Sequence, residues 1–161
     1  MPSHGRFVSA SSAPMHEWRK RPGERTGLNW RIPSQAGRRF VRHALYDTNY
    51  WKSFVHDRLR ALKGDPGSLD LFGGRNTDHR LFGDHLTAEY AVVVEARGRK
   101  VDEWKLRPSR PDNHWLDGVV GCAVAASIEG VHLPNMNPSE VGRNGRVRLR
   151  LSDLQSRKRG F

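Results

Sequence analysis

The stretch DNHWLDGVVGCAVAAS, residues 112–127, carries the clearest periodic pattern in the chain. From Leu116 onward its apolar residues recur every three or four positions, which is typical of a helix with one buried face. We therefore predict a helix over residues 113–128, with Asp112 as its N-cap. Asp117 interrupts the apolar pattern early in this helix. A carboxylate in an apolar setting needs a partner that stabilises its charge. Candidates for that partner have to be sought in the rest of the sequence.

The composition is that of a loop-rich globular protein, with 161 residues, 36% hydrophobic and 28% charged, including 16 Gly and 9 Pro. A chain of this length can bury a core in one domain. No apolar run reaches the ~18 residues of a membrane span and no signal peptide is evident, so we expect an intracellular, cytoplasmic protein. The single cysteine, Cys122, excludes an internal disulfide and is expected to pack as a small apolar residue.

The net charge of +11 is distributed unevenly. Residues 1–64 carry 13 Lys/Arg against 4 Asp/Glu, residues 65–134 carry 8 against 11, and residues 135–161 carry 7 against 2. Basic ends therefore flank an acidic middle. This suits a protein that binds a polyanion on basic surfaces and keeps carboxylates where metal ions bridge to phosphate. We predict a nucleic-acid partner; the alternative is a basic protein whose charge serves solubility alone.

The first half of the chain predicts strands followed by a helix. Residues 1–27 have no sustained period and are interpreted as an extended basic loop. Two strands are expected around a turn at residues 34–37, the second ending at Asp47. A helix then starts, capped by Asp47 or Thr48, with Lys52 and other polar residues facing away from its apolar stripe. That stripe consists of Trp51, Phe54, Val55, Leu59 and Leu62.

The second half predicts smaller elements before the opening helix. Residues 68–73 alternate like a short strand, and residues 77–88 fit a short helix capped by Thr77 or Asp78. Residues 89–108 read as a β-hairpin around Gly98. After residue 134 the composition turns to Asn, Gly, Arg and Ser, which predicts a flexible basic tail over residues 135–161.

Two carboxylates stand where burial is costly, Asp47 at a strand-to-helix junction and Asp117 in the apolar helix. Side chains from several elements converge at such junctions in open α/β folds. Paired Asp residues bind Mg²⁺ or Mn²⁺, and two such ions can stabilise the attacking and leaving oxygens of a phosphodiester. We predict both as catalytic metal ligands. The structural alternatives are a plain cap for Asp47 and an ion pair with Arg107 or Arg110 for Asp117.

Other chemistries find less support in the sequence. No GxxxxGK[ST] loop is present, so we expect no ATP site, and the histidines lack metal-ligand spacing. Glu89 stands at the entry to the predicted hairpin, and the sequence pattern assigns it no role.

Several segments together resemble the C-terminal nuclease portion of lambda-type (gpA) phage terminase large subunits: PSHGRFVSASSAPM, RPGERTGLNWRIP, LYDTNYWKSFVHDRL, DHLTAEY, VDEWKLRP and RPDNHWLDGVVGCAVAAS. The resemblance covers most of residues 2–134. It implies an α/β fold of the RNase H-like nuclease type, a mixed sheet flanked by helices with an inserted hairpin. The implied activity is metal-dependent endonucleolytic cleavage of concatemeric viral DNA during packaging. Implied partners are double-stranded DNA, the rest of the large subunit, the small subunit and the portal, in a bacterial host and without a membrane.

In that family, acids on the first strand, at the end of a later central strand and on the last helix assemble the metal site. Asp47 resembles the second acid and Asp117 the third, while the first acid and the ATPase domain have no counterpart. The resemblance thus implies a partial nuclease domain over residues 28–134 that lacks its first strands. The chain is then a truncated open reading frame, a prophage remnant or one piece of a split gene.

This partial match has three consequences. The central strand is expected to have an unpaired edge. Cleavage is expected to be impaired. The DNA backbone is expected to contact the hairpin and the loop after it, at Lys100, Lys105, Arg107 and Arg110. The alternatives are a non-catalytic basic DNA-binding or packaging-accessory protein, and an unstable pseudogene product.

Overall fold

A four-stranded mixed sheet is formed by strands that lie between residues 3 and 47. The computed structural model describes residues 1–34, 41–73, 75, 77–110 and 112–131. The strands of the sheet, in the spatial order β1-β4-β3-β2, are β1 (Ser3–Arg6), β2 (Arg25–Gly27), β3 (Trp30–Ile32) and β4 (Ala44–Asp47). β1 lies parallel to β4, whereas β3 is antiparallel to both β2 and β4. The two strands predicted before the first helix are confirmed; most of the turn between them lies outside the described residues.

Two expectations about the N-terminal part are wrong. Residues 1–27 are not an extended loop, because they contribute β1, β2 and a short 3₁₀ turn at Met15–Glu17. The edge of β4 is not unpaired, because β1 pairs with it from Ser3 opposite Ala44 to Arg6 opposite Asp47. The side chains of β1 are all exposed, so the strand carries no apolar alternation by which a sequence pattern could reveal it.

The described residues contain three α-helices: α1 (Thr48–Arg60), α2 (Arg80–Leu86) and α3 (His114–Ile128). Asp47 caps α1, as predicted: its Oδ1 accepts hydrogen bonds from the backbone N–H groups of Asn49 and Tyr50 at 3.0 and 3.3 Å. The mixed α/β class is therefore confirmed.

The caps predicted for the two other helices are wrong. His79 precedes α2, in place of Thr77 or Asp78, and makes no side-chain capping bond. Asn113 precedes α3, in place of Asp112, and likewise makes none. The side chain of Asn113 is instead drawn towards the hairpin, where it donates to Glu89.

β5 (Glu89–Ala96) and β6 (Arg99–Leu106) form the predicted hairpin as a separate two-stranded antiparallel sheet. Arg97 and Gly98 join the strands with φ angles of 52° and 71°, and two consecutive positive φ angles define a type I′ turn. The strand predicted at residues 68–73 does not form. Its apolar side chains, Phe72 above all, are exposed, so pairing them in a strand would bury nothing.

The core lies between the sheet, α1 and α3. Trp51 is fully buried at its centre, and its indole N–H donates to the carbonyl of Asn29 at 3.2 Å. α3 contributes Leu116, Val120 and Val124, spaced one helical turn apart, as its pattern predicted. Cys122 on the same helix is exposed rather than packed. The full buried cluster is Trp30, Ile32, Ala44, Tyr46, Trp51, Phe54, Val55, Leu86, Leu116, Val120 and Val124.

None of the helices in the described part of the chain has the length and apolarity needed to cross a membrane.

Asn49 ties three segments together from the first turn of α1. Its side chain is 1% exposed. Nδ2 donates to the carbonyl of Val8, in the segment after β1, at 3.1 Å. Oδ1 accepts from the backbone N–H of Trp104, in β6, at 3.0 Å. Buried amides are satisfied in native proteins, so this one fixes both segments on α1.

Substituting Asn49→Ala is expected to lower the free energy of unfolding by about 2–4 kcal/mol, because a buried carbonyl and a buried N–H both lose their partner. Urea denaturation of the purified protein measures this. Asp57→Ala, at an exposed position of the same helix, is the control and should change stability by less than about 0.5 kcal/mol. Equal effects of the two substitutions would contradict the assigned role of Asn49.

Candidate functional site

Asp47 is at once the last residue of β4 and the N-cap of α1. Its side chain is 6% exposed. Burial raises the pKa of Asp47 from its ordinary value of 3.8 to about 6, outweighing the two helix N–H bonds and the charge of Arg99, which lower it. The sequence placed this carboxylate where burial is costly, and the structure confirms that expectation for Asp47.

A cavity of about 570 Å³ opens beside Asp47. The first turn of α1, the turn between β2 and β3 and the start of β6 form its wall. Arg99 and Lys100 bring two positive charges to it, and the guanidinium of Arg99 is held by the carbonyl of Ser12 at 2.5 Å. Asp102 adds a second carboxylate and accepts a hydrogen bond from Ser53 at 3.2 Å. A cavity that combines carboxylates with cationic side chains suits a phosphate accompanied by a cation.

Asp117 lies in the first turn of α3 and is 49% exposed, so the apolar setting expected for it is wrong. Its Oδ1 stands 3.3 Å from the Nζ of Lys52. The structural alternative named two arginines as its partner, but these are engaged elsewhere. Arg107 donates to the backbone carbonyl that follows α2, and Arg110 lies 3.5 Å from Asp84.

Lys52 does not face solvent, as its position in α1 had indicated, but is buried. Its Nζ lies 2.5 Å from Oε1 of Glu89, and the two side chains are 10% and 5% exposed. The same oxygen of Glu89 accepts from Nδ2 of Asn113 at 2.5 Å. Lys52, Glu89, Asn113 and Asp117 therefore join α1, β5 and α3, and we refer to them as the Lys52 cluster.

Sequence reasoning missed this cluster because none of its spacings is periodic. Lys52 follows Trp51 directly and precedes Val55 by three positions, so it stands at the margin of the apolar stripe of α1. A charged residue at such a margin is buried only if another element supplies an opposite charge. The sequence feature that could have indicated the burial of Lys52 is Glu89, an acid at the entry to the hairpin.

Among the contacts of the described residues, the two predicted metal ligands share no partner. The pKa of Tyr46, which directly precedes Asp47, is raised first by burial and second by the negative charge of Asp117. Among the described residues, no three His, Cys, Asp or Glu side chains are grouped so that they could hold a metal ion. The structure thus joins Asp117 to Lys52 and Glu89, while Asp47 faces its own cavity.

The basic residues predicted to contact DNA are all exposed, but they divide between two faces of the hairpin. Lys100 lines the cavity beside Asp47 and lies 3.4 Å from Glu95. Lys105 is five positions further along β6, and successive side chains of a strand alternate, so it points to the opposite face. Arg107 and Arg110 follow β6, and Arg107 lies over the ring of Tyr90.

The mixed sheet and the three helices of the described residues are consistent with a nuclease domain. A model of the family described as terminase large subunit gpA, endonuclease domain, matches residues 29–138, more than half of the chain. The protein therefore belongs to this family, and the resemblance seen in its sequence is confirmed. No curated protein and no solved structure matches it.

Asp47→Asn is expected to stabilise the protein at pH 7.5 by about 1–3 kcal/mol, because asparagine keeps the capping oxygen and removes a buried charge. The pKa of Asp47 is raised to about 6 in the folded state, so the folded protein binds this proton more tightly than the unfolded chain does. The wild type therefore loses stability as the pH rises from about 4 to about 6, and the variant does not.

Urea unfolding at pH 4 and pH 7.5 measures this difference. The gap between variant and wild type should nearly close at pH 4. Asp57→Asn, at an exposed position of the same helix, should show no such pH dependence. An Asp47→Asn variant less stable than the wild type at pH 7.5 would refute the assignment of a costly buried charge.

Proposed function

We propose that this chain is a DNA-packaging endonuclease domain of the phage terminase type, which cleaves double-stranded viral DNA with Mg²⁺ or Mn²⁺ held at Asp47 and Asp117. The observation that carries the proposal is the buried carboxylate of Asp47, with its raised pKa, in a cavity that Arg99 and Lys100 also line. Buried acids with strongly shifted pKa values cluster at functional sites, which supports this assignment.

The donor set fits a hard cation, provided that water and substrate complete its coordination. Mg²⁺ is commonly bound by one or two carboxylates together with waters and substrate phosphates, so fewer than three protein acids suffice. Both helix N–H bonds to Asp47 go to Oδ1, which leaves Oδ2 as the oxygen for a cation. Asp117 offers a half-exposed carboxylate. A bound ion of this class supplies Lewis-acid stabilisation and an activated water, and two ions would act on the attacking and leaving oxygens.

The chain's own side chains supply the rest of the proposed site. Arg99 and Lys100 bind the phosphodiester at the mouth of the cavity, with Arg99 oriented by its bond to Ser12. Lys105, Arg107 and Arg110 bind the DNA backbone beyond the cavity, on the other side of the hairpin. Cleavage is expected to be slow, because Asp117, one of the two proposed metal ligands, is already paired with the ammonium of Lys52.

On this proposal the fold is of the RNase H-like nuclease type with β4 as its central strand. The substrate is concatemeric DNA. The rest of the terminase large subunit, the small subunit and the portal are the partners, in the cytoplasm of the bacterial host.

Asp47→Asn and Asp117→Asn should each reduce Mn²⁺-dependent nicking of supercoiled DNA by about a hundredfold or more, because each removes a metal ligand. Gel analysis of plasmid conversion over time measures it. Asp112→Asn is the matched control, because Asp112 is an exposed carboxylate two residues before α3, the helix that carries Asp117. This variant should cut DNA as the wild type does. Cleavage unchanged in both test variants would remove the proposed catalytic roles.

A second function is favoured by the ion pair between Lys52 and Asp117. A carboxylate held by an internal ammonium needs no metal, and this fits a non-catalytic DNA-binding or packaging-accessory protein. Salt-sensitive DNA binding without metal-dependent cleavage in the wild type would select this alternative.

Lys100→Gln is expected to weaken DNA binding and to lower the slope of log affinity against log salt by about one, because one phosphate contact is lost. Fluorescence anisotropy with a labelled duplex at several salt concentrations measures the slope. Lys63→Gln serves as the control, since Lys63 is exposed just after α1 and lies outside both the cavity and the hairpin. An unchanged slope for Lys100→Gln would place the DNA elsewhere.

A further inference from the structure

The Lys52 cluster presents Asp117 with a cation that the protein itself provides. We propose that Lys52 is a positioning residue that competes with a divalent cation for the carboxylate of Asp117, and that Glu89 is the anchor that holds the ammonium while the cation binds. This inference rests on the proposed function, in which Asp117 is a metal ligand.

The two contacts of the ammonium differ in a way that assigns these roles. Nζ of Lys52 is 2.5 Å from Glu89, and both side chains are buried. Its distance to Asp117 is 3.3 Å, and that carboxylate is half exposed to water. Asn113 donates to the same oxygen of Glu89 and keeps it in place. The contact with Glu89 is therefore the tight one, and the contact with Asp117 is the one that opens.

An ammonium and a divalent cation cannot both be bound by Asp117 without repulsion. A metal ion lies ~2.1 Å from its oxygen ligand. With Nζ 3.3 Å from Oδ1, a metal ion on that oxygen is at most ~5.4 Å from the ammonium. Like charges at that separation repel appreciably in the partly dry surroundings of a protein surface. Lys52 therefore lowers the affinity of Asp117 for a metal ion.

Charge counting predicts opposite effects for the two ends of the buried pair. One ammonium against two carboxylates leaves the cluster with an excess of one negative charge. Replacing Lys52 with methionine keeps the apolar stem and leaves two negative charges for the metal ion. Replacing Glu89 with glutamine leaves the cluster with no net negative charge, and it frees the ammonium of Lys52 to approach Asp117.

The test measures Mn²⁺ affinity of the full chain, by calorimetry or by the electron paramagnetic resonance signal of free Mn²⁺, without DNA. Lys52→Met should bind Mn²⁺ about tenfold more tightly than the wild type, and Glu89→Gln about tenfold more weakly. Lys52→Arg keeps the positive charge and should remain close to the wild type. Adding Asp117→Asn to Lys52→Met should abolish the gain.

A purely structural role for the Lys52–Glu89 pair predicts a different result. Loss of either partner would then weaken Mn²⁺ binding. Shifts in the same direction, or no shift, would overturn the inference. If either single variant fails to fold by circular dichroism, the double variant Lys52→Met with Glu89→Gln removes the buried pair as a unit. It should bind Mn²⁺ no more weakly than the wild type, and weaker binding would count against the competition.

Failure of the proposed function gives a separate result. If Asp117→Asn alone leaves Mn²⁺ binding and cleavage unchanged, Asp117 is no metal ligand, and the competition falls with it. If Asp117→Asn abolishes Mn²⁺ binding while the Lys52 and Glu89 variants move together, the proposed function stands and only the competition is refuted. If the wild type binds no Mn²⁺ but Lys52→Met binds it through Asp117, the competition is upheld.

Discussion

The buried amide of Asn49 is the constraint on which the geometry of the site depends. It is satisfied only when the segment after β1 and strand β6 are both docked on α1. Asn49 also follows Asp47 by two residues, and its backbone N–H binds the Asp47 carboxylate. The same first turn of α1 therefore orients the candidate acid and fixes the hairpin that carries Arg99 and Lys100. Unpaired buried amide groups are costly, so these relations hold together or fail together.

The buried ion pair between Arg31 and Glu24 differs from the one between Lys52 and Glu89 in its charge balance. Arg31 lies 2.6 Å from Glu24, and both side chains are almost fully buried. Arg31 also donates to the carbonyl of Arg19, while Glu24 accepts from the backbone of Arg21, so this pair secures the loop before β2 with balanced charge. The Lys52 cluster has one carboxylate too many for such a balance. On the proposed function, this remaining negative charge, on the half-exposed Asp117, is available to a cation.

The parts of the fold that the sequence predicted are those whose signals are local. The apolar period predicted α3, the turn residues around Gly98 predicted the hairpin, and the acid at the end of β4 predicted the cap of α1. β1 escaped prediction because its four side chains are exposed and its partner is distant in the sequence. The cap of α3 was misassigned because capping propensity does not distinguish Asp112 from Asn113. The cap of α2 was misassigned because His79, which precedes that helix, makes no side-chain capping bond and is not a residue that capping propensity favours.

The sequence predicted the burial of Asp47 correctly and the surroundings of Asp117 and Lys52 wrongly. Asp47 is buried, as a carboxylate at a strand-to-helix junction was expected to be. For Asp117 the helical pattern counted apolar neighbours in the sequence, but only Leu116, Val120 and Val124 of α3 are buried. Lys52 was placed on the wrong face because amphipathic reasoning assigns charges to solvent. The acid that pairs with the buried ammonium of Lys52 is Glu89. It lies on another element, and no sequence periodicity links the two residues.

The parallel pairing of β1 with β4 has a consequence for how the chain reaches this structure. The pairing joins position 3 to position 44, whereas β2 with β3 and β5 with β6 are joined by short turns. Closing the longer loop costs more chain entropy, so the local hairpins and helices form before it closes. The residues of β1 are then among the last to find their partners. Until they do, the side-chain amide of Asn49 lacks the carbonyl of Val8 as its acceptor.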